Sequence, residues 1–219
     1  MATIIESLKG LDIRMRRLRR KVVPAAEWHR NWDDPVWLER YLDPERYRLY
    51  REVASRVPRR SYSWVVEVGC GAACLLREFV EKRSEEQGSC KFMGLDISDA
   101  AVRVARRTCG EALILRGSVY NIPFREGSLD LVLCVEVLEH LLRPRHALEE
   151  MMRVLRKDGN VLITVPDGAR DNWAGHNNFW DEKSFQRFLS PYPVVSLERI
   201  PELGCLFGIL SKKGGECSS

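Results

Sequence analysis

The stretch Trp64-Val65-Val66-Glu67-Val68-Gly69-Cys70-Gly71-Ala72-Ala73 decides the fold. Its first five residues are apolar apart from Glu67, the composition of a strand buried on both faces. Two glycines follow, and a helical pattern then runs over about Ala72–Gln87. Glycine at 69 and 71 lets the backbone turn sharply and approach a ligand closely. By itself a Gly-x-Gly after a strand also fits a dinucleotide site or a plain tight turn, so the flanking sequence has to decide.

Downstream, short apolar runs alternate with helical patterns. Strands are predicted at Lys91–Leu95, Ala112–Arg116, Leu129–Cys134 and Val161–Val165, with a helix near Asp99–Thr108. An amphipathic helix follows Pro144, with Ala147, Met151, Val154 and Leu155 inward, and Lys157-Asp158-Gly159-Asn160 turns it into the fifth strand. Such alternation specifies a parallel α/β sheet. After a helix near Asp181–Leu189 the pattern changes. Val194–Ile200 and Cys205–Leu210 are separated only by a turn containing Pro201 and Gly204, too short for a helical crossover, so they should pair antiparallel. Upstream of Trp64 the chain looks helical, over about Pro35–Val57 and along the stripe Ile4, Leu8, Leu11, Met15, Leu18 and Val22. The expected organisation is a helical N-terminal cap over residues 1–60 and one α/β domain over 61–219.

The 219 residues are 45% apolar and 30% charged, a folded and not a disordered composition. No apolar run approaches the ~20 residues of a membrane span, and the N-terminus has no secretory pattern, so the expected location is cytoplasmic. Seven cysteines cannot all pair, and none forms a C-x-x-C; Cys70, Cys90, Cys109 and Cys134 are expected as reduced thiols. Residues 1–60 carry fifteen Lys/Arg against nine Asp/Glu, so the net +4 of the chain originates there. The basic run Arg14–Lys21 is read first as a solvated face whose stripe packs on the domain or on a second subunit, which makes a dimer an option. A phosphate-binding face for RNA is the second reading, and a membrane surface, opposed by Glu6 and Asp12, the third.

Three further segments follow parallel strands, at the face where open α/β sheets bind ligands. They are Gly94-Leu95-Asp96-Ile97-Ser98, Gly117-Ser118-Val119-Tyr120-Asn121-Ile122-Pro123-Phe124, and Asp130 through Leu141, which is expected to run a strand into a helix. Together with Glu67–Gly71 and Leu155–Asn160, this ordered set resembles the class I methyltransferases, which use S-adenosylmethionine (SAM). The nearest likeness is to the type 11 kind that includes ubiquinone-biosynthesis O-methyltransferases, over about residues 62–212. The resemblance implies a Rossmann-like sheet of seven strands, five parallel and then an antiparallel hairpin. It implies Gly69, Cys70 and Gly71 behind the methionine part of SAM, with Glu67 reaching its ammonium. Asp96 is implied on the ribose hydroxyls, Ile97 on the adenine, Ser118 and Val119 at the adenine border, and Val135 near the sulfonium. Ala73 stands where many relatives have a third glycine, and Ser118 where many have aspartate.

The resemblance makes the chain a SAM-dependent enzyme acting on an oxygen or nitrogen nucleophile, most simply of a small molecule. An RNA methyltransferase using the basic N-terminal helix, or a non-catalytic SAM-binding protein on the same fold, are the alternatives. Methyl transfer from a sulfonium mainly requires alignment and exclusion of water, so a base is optional. His140 and His176 are the candidate bases. If a helix starts at Glu136, then Glu136, Glu139 and His140 share a face, and His176 in the long loop 166–180 reaches the same end. No metal is expected; the alternative is a divalent ion on Glu136, Glu139, His140 and His176.

Overall fold

The computed structural model describes residues 30–87, 90–171, 173 and 175–212. The basic N-terminal stripe lies outside the described residues. After a helical turn at 30–33, the first elements are α1 (Pro35–Tyr41) and α2 (Pro44–Arg56). The single helical region expected over Pro35–Val57 is thus two helices. Their break at Leu42-Asp43 precedes Pro44, whose ring disfavours a helical conformation in the residue before it.

The α/β part runs β1 (Trp64–Val68), α3 (Cys74–Gln87), β2 (Lys91–Asp96), α4 (Asp99–Thr108), β3 (Leu113–Arg116) and β4 (Leu129–Val135). It continues with α5 (Pro144–Val154), β5 (Leu155–Pro166), α6 (Glu182–Leu189), β6 (Val194–Ile200) and β7 (Cys205–Ser211). The seven strands form one sheet in the order β3-β2-β1-β4-β5-β7-β6. Strands β1 to β5 pair parallel, whereas β7 pairs antiparallel with both β5 and β6. This is the class I methyltransferase topology, hairpin included. Strand order reverses around β1, so the crevice at its carboxyl end is where the fold places a ligand.

Alternation along the strands divides the core between the two faces. Val65, Leu131, Leu133, Leu162 and Phe207 pack with α2, α3 and α4 through Val53, Leu76, Phe79 and Ala101. Val66, Val132, Cys134, Val161 and Ile163 face α5 and α6 through Leu148, Met151, Phe185 and Leu189. Tyr50, Val53 and Ala54 of α2, and Val57 just after it, are buried in the first of these cores, so this helix is built into the domain.

Two local signals explain element limits. Ser98 caps α4 by accepting from the Ala101 amide, and Asp181 and Ser184 form a reciprocal capping box at the start of α6. At the other end of β5 the expected turn is a bulge within the strand: Leu129 pairs with Leu155 but Leu131 pairs with Asn160, and Asp158 takes a left-handed φ of 60°. The six cysteines within the described residues are free.

Candidate active site

The carboxyl ends of β1, β2 and β4 open into a cavity of about 400 Å³. Its floor begins at the turn after β1. Gly69 and Gly71 have φ of 68° and 51°, a region that penalises side chains, and Ala73 follows at 58°. A Cβ on Gly69 would stand 2.5 Å from Val137 Cγ2, and one on Gly71 would stand 2.6 Å from the Tyr41 hydroxyl and 2.8 Å from the Trp32 ring. Any side chain at either position would fill the cradle.

Asp96 ends β2 at the cavity wall and is only 9% exposed. Its Oδ2 accepts from the Gly71 amide at 2.9 Å and its Oδ1 from the Ser98 amide at 2.9 Å. The carboxylate therefore fixes the glycine turn against the start of α4 as well as facing the cavity. Leu95, Ile97, Gly117, Ser118 and Val119 continue this wall. The Ser118 hydroxyl accepts from the Tyr120 amide at 3.2 Å, holding its own loop.

Three of the residues expected around the cofactor lie behind this lining. Glu67 is buried, and its Oε2 accepts from the Leu76 amide at 3.2 Å; burial pushes its carboxyl well above the usual range. Cys70 and Val135 are buried beneath the turn and the end of β4, and Val137 lines the cavity where Val135 was expected.

The segment after β4 is the main departure from the expected pattern. Leu138–His140 is a single 3-10 turn and not the start of a helix, because Pro144 sits in the first turn of α5 and sets its start. Glu136 has a left-handed φ of 56°, and its Oε1 accepts from the Thr164 hydroxyl at 3.1 Å. It lines the cavity but does not share a helix face with Glu139 and His140. Burial raises its carboxyl, with Arg46 opposing the shift.

Glu139 and His140 instead meet the loop after β5. The Glu139 carbonyl accepts from the Asn177 and Asn178 amides at 2.7 and 2.9 Å. The side-chain amide of Asn177 donates to the His140 carbonyl at 2.6 Å, and that of Asn178 to the Leu138 and Leu141 carbonyls at 3.1 and 2.7 Å. This latch brings the His176 ring to 4.8 Å from that of His140. His176 Nδ1 is 2.5 Å from Asp171 Oδ2. Glu139 is 1% exposed, and its Oε1 is 3.5 Å from His140 Nε2. Burial, with Glu136 adding to it, holds the Glu139 carboxyl well above the usual range, while burial, with His176 adding to it, pulls His140 down to about 3.

The last wall is aromatic. Trp32, Trp37 and Tyr41 face Trp173, with the Trp37 and Trp173 ring centroids 6.2 Å apart. The Arg46 guanidinium lies 4.8 Å over the Tyr41 ring and also lines the cavity. Tyr41 and Arg46 carry no motif in the sequence, and only the packing of α1 and α2 over the glycine turn reveals them.

Comparison with known proteins accords with this geometry. Residues 66–163 match the type 11 methyltransferase-domain model. The Arabidopsis thaliana tRNA (carboxymethyluridine(34)-5-O)-methyltransferase is 33% identical over 162 residues, covering 65% of this chain and 37% of that protein. The chain spans 39%, 37% and 62% of the length of the first three curated relatives it matches. A SAM-dependent methyltransferase from Aquifex aeolicus superposes with a TM-score of 0.68 at 18% identity, over 81% of this chain and 98% of that one. A chain of the Haloferax volcanii complex that contains the Trm112 methyltransferase activator superposes with a TM-score of 0.72 at 18% identity, over 86% and 98%. These structural likenesses establish the fold; the matched domain establishes the kinship. Residues 66–163 thus match the type 11 methyltransferase-domain family, and the fold is that of the class I SAM-dependent methyltransferases.

Proposed function

We propose that the protein transfers the methyl group of SAM to an oxygen or nitrogen nucleophile of a small-molecule acceptor. The observation that carries this reading is the convergence, in one cavity, of the side-chain-free turn at Gly69 and Gly71, the buried Asp96 and the polar pair His140 and His176. Both glycine positions lack room for a Cβ, which suits close approach of a ligand to the backbone, and the Leu95, Ile97 and Val119 wall suits a flat apolar ring. These residues fit SAM. Gly69, Gly71, Asp96, Ile97, Ser118 and Val119 would hold it, with Glu67 and Cys70 supporting the turn from behind and Val135 supporting the strand end.

When bound, SAM supplies an electrophilic methyl group on a sulfonium whose departure leaves a neutral thioether. The chain's own contribution is alignment and dryness. Trp32, Trp37, Tyr41 and Trp173 wall the cavity with apolar rings, and Asp171 orients His176 toward it. An amine acceptor needs no base. For a hydroxyl acceptor, His140 and His176 are the groups at the far end that can receive or direct its proton.

A second reading, with RNA as acceptor, is favoured by the basic excess in residues 1–60 and by the tRNA-modifying activity in the name of the Arabidopsis relative. Calorimetric titration with SAM, followed by a methyl-transfer screen of metabolite and RNA pools, tests both. Absence of SAM binding to the folded protein at millimolar cofactor would refute the methyltransferase reading.

A further inference from the structure

We propose that Arg46, Tyr41 and Tyr50 form a carboxylate-binding site, which α1 and α2 bring to the cavity beside the glycine turn. The proposal rests on the methyl-transfer reading only for where the carboxylate comes from. All three residues precede the matched domain at 66–163, so the family likeness assigns them no role. The site itself follows from four observations.

Arg46 is the first. Its guanidinium is the one Lys or Arg group in the cavity lining among the described residues. It lies 4.8 Å over the Tyr41 ring, and no carboxylate among the described residues forms an ion pair with it. The charge of Glu136 reaches it, but Glu136 is hydrogen-bonded to Thr164. A guanidinium keeps its charge at any ordinary pH and carries five N–H donors in a fixed fork. Beside the rings of Trp32, Trp37, Tyr41 and Trp173 little water competes for those donors, which strengthens the hold on an anion.

Tyr50 is the second observation. It is 3% exposed and close to both Arg46 and Tyr41, yet its hydroxyl has no partner in good hydrogen-bond geometry among the described residues. Buried hydroxyls are ordinarily paired.

The third is protonation. Burial pushes the Tyr41 phenol well above its usual range and that of Tyr50 up to about 12. Both hydroxyls therefore keep their protons and can donate to an anion.

Placement is the fourth. A Cβ on Gly71 would stand 2.6 Å from the Tyr41 hydroxyl, so that hydroxyl stands directly over the turn. Trp32, itself buried, meets the Tyr41 ring edge-on with centroids 4.5 Å apart, which fixes the phenol there.

One guanidinium and two hydroxyls, with Glu136 in the same lining, suit a monoanion better than a doubly charged phosphate, and the planar fork matches a carboxylate. Two sources offer one. The amino-acid end of SAM carries a carboxylate and would lie against the glycine turn, over which Tyr41 stands. An acceptor bearing its own carboxylate would reach Arg46 from the side of Glu136. In either case the bound anion joins α1 and α2 to the turn after β1.

The test compares SAM with decarboxylated SAM, which lacks only this group, by calorimetry on the full chain and on Arg46→Met. With the cofactor as source, the parent should bind decarboxylated SAM about 10–100-fold more weakly than SAM, the range of a charge-assisted pair. Arg46→Met should weaken SAM by a similar factor and leave decarboxylated SAM within about threefold, and Tyr41→Phe should weaken SAM about 3–10-fold. With the acceptor as source, Arg46→Met should leave SAM affinity unchanged. Benzoate should then bind the parent saturated with S-adenosylhomocysteine, and Arg46→Met should abolish that binding. The two comparisons on the parent remain decisive if Arg46→Met does not fold: equal affinity for SAM and its decarboxylated form, without benzoate binding, overturns the proposal. An Arg46→Met protein that weakens both forms alike, or loses neither SAM nor benzoate, overturns it too. Either result with SAM still bound by the parent leaves the methyltransferase reading standing. Benzoate held through Arg46 by a protein that binds no SAM would do the reverse.

Discussion

Asp96→Ala is the substitution whose cost can be worked most directly from the structure. The carboxylate accepts from the Gly71 and Ser98 amides, each at 2.9 Å, and both residues are buried. Removing it leaves two buried N–H groups without that acceptor, at about 1–3 kcal/mol each, so the variant should lose ~2–6 kcal/mol of stability. Against the roughly 5–15 kcal/mol of an ordinary domain, that is a large share. Asp96→Asn retains one carbonyl acceptor but turns an amide donor toward the other N–H, and should lose about 1–3 kcal/mol. Urea unfolding gives these values. SAM titration, run where each variant is still folded, should show at least a tenfold loss of affinity for both, since the same carboxylate faces the cavity. An Asp96→Ala protein within about 0.5 kcal/mol of the parent would refute the reasoning about the turn. A folded variant with unchanged SAM affinity would refute the assignment of the ribose.

Gly69→Ala should cost about 1–2 kcal/mol for its left-handed φ and about 1–3 kcal/mol for the overlap with Val137. Adding Val137→Ala should recover the second part only, so a cycle measured by denaturation that showed no coupling would contradict the geometry. His140 is held neutral to about pH 3, whereas a free histidine takes its proton near 6.5. Between those values the unfolded chain binds more protons, so stability should fall as pH drops, by at most about 1.4 kcal/mol per pH unit from this group. Denaturation of His140→Gln should show a flatter dependence; an unchanged slope would mean that His140 is not the group responsible. Deleting residues 1–23 should abolish any RNA retention seen at low salt and remove its steep salt dependence. Retention that survives the deletion would place the contact elsewhere.

The strand ends were readable because their chemistry is local. A buried strand, a glycine turn and a carboxylate after the next strand are each written in consecutive residues, and Gly69, Gly71, Asp96, Ile97, Ser118 and Val119 do share one cavity. Where a side chain points is set by less local causes. Glu67 and Cys70 lie beside those glycines in sequence, yet their side chains are buried in the layer beneath. The three-and-four spacing of Glu136, Glu139 and His140 suggested a helix face, but Pro144 lies too close for a helix to begin before it, and a left-handed Glu136 breaks the spacing. Arg46 and Tyr41 were invisible for the opposite reason. They belong to an ordinary amphipathic stretch whose relation to the cavity exists only after α2 has packed on α3.

The grip of Asn177 and Asn178 on the carbonyls of residues 138 to 141 also determines how molecules pass in and out. Swinging that side of the cavity outward would break six hydrogen bonds at once, three of them at 2.7 Å or less. The opposing wall, where α1 contributes Trp37 and Tyr41, has no comparable seam of backbone carbonyls holding it to the glycine turn among the described residues. The 138–141 segment is therefore the fixed side of the cavity, and opening is expected on the α1 side. Amide exchange would register the difference as slow protons at Asn177 and Asn178 and faster ones along Pro35–Tyr41.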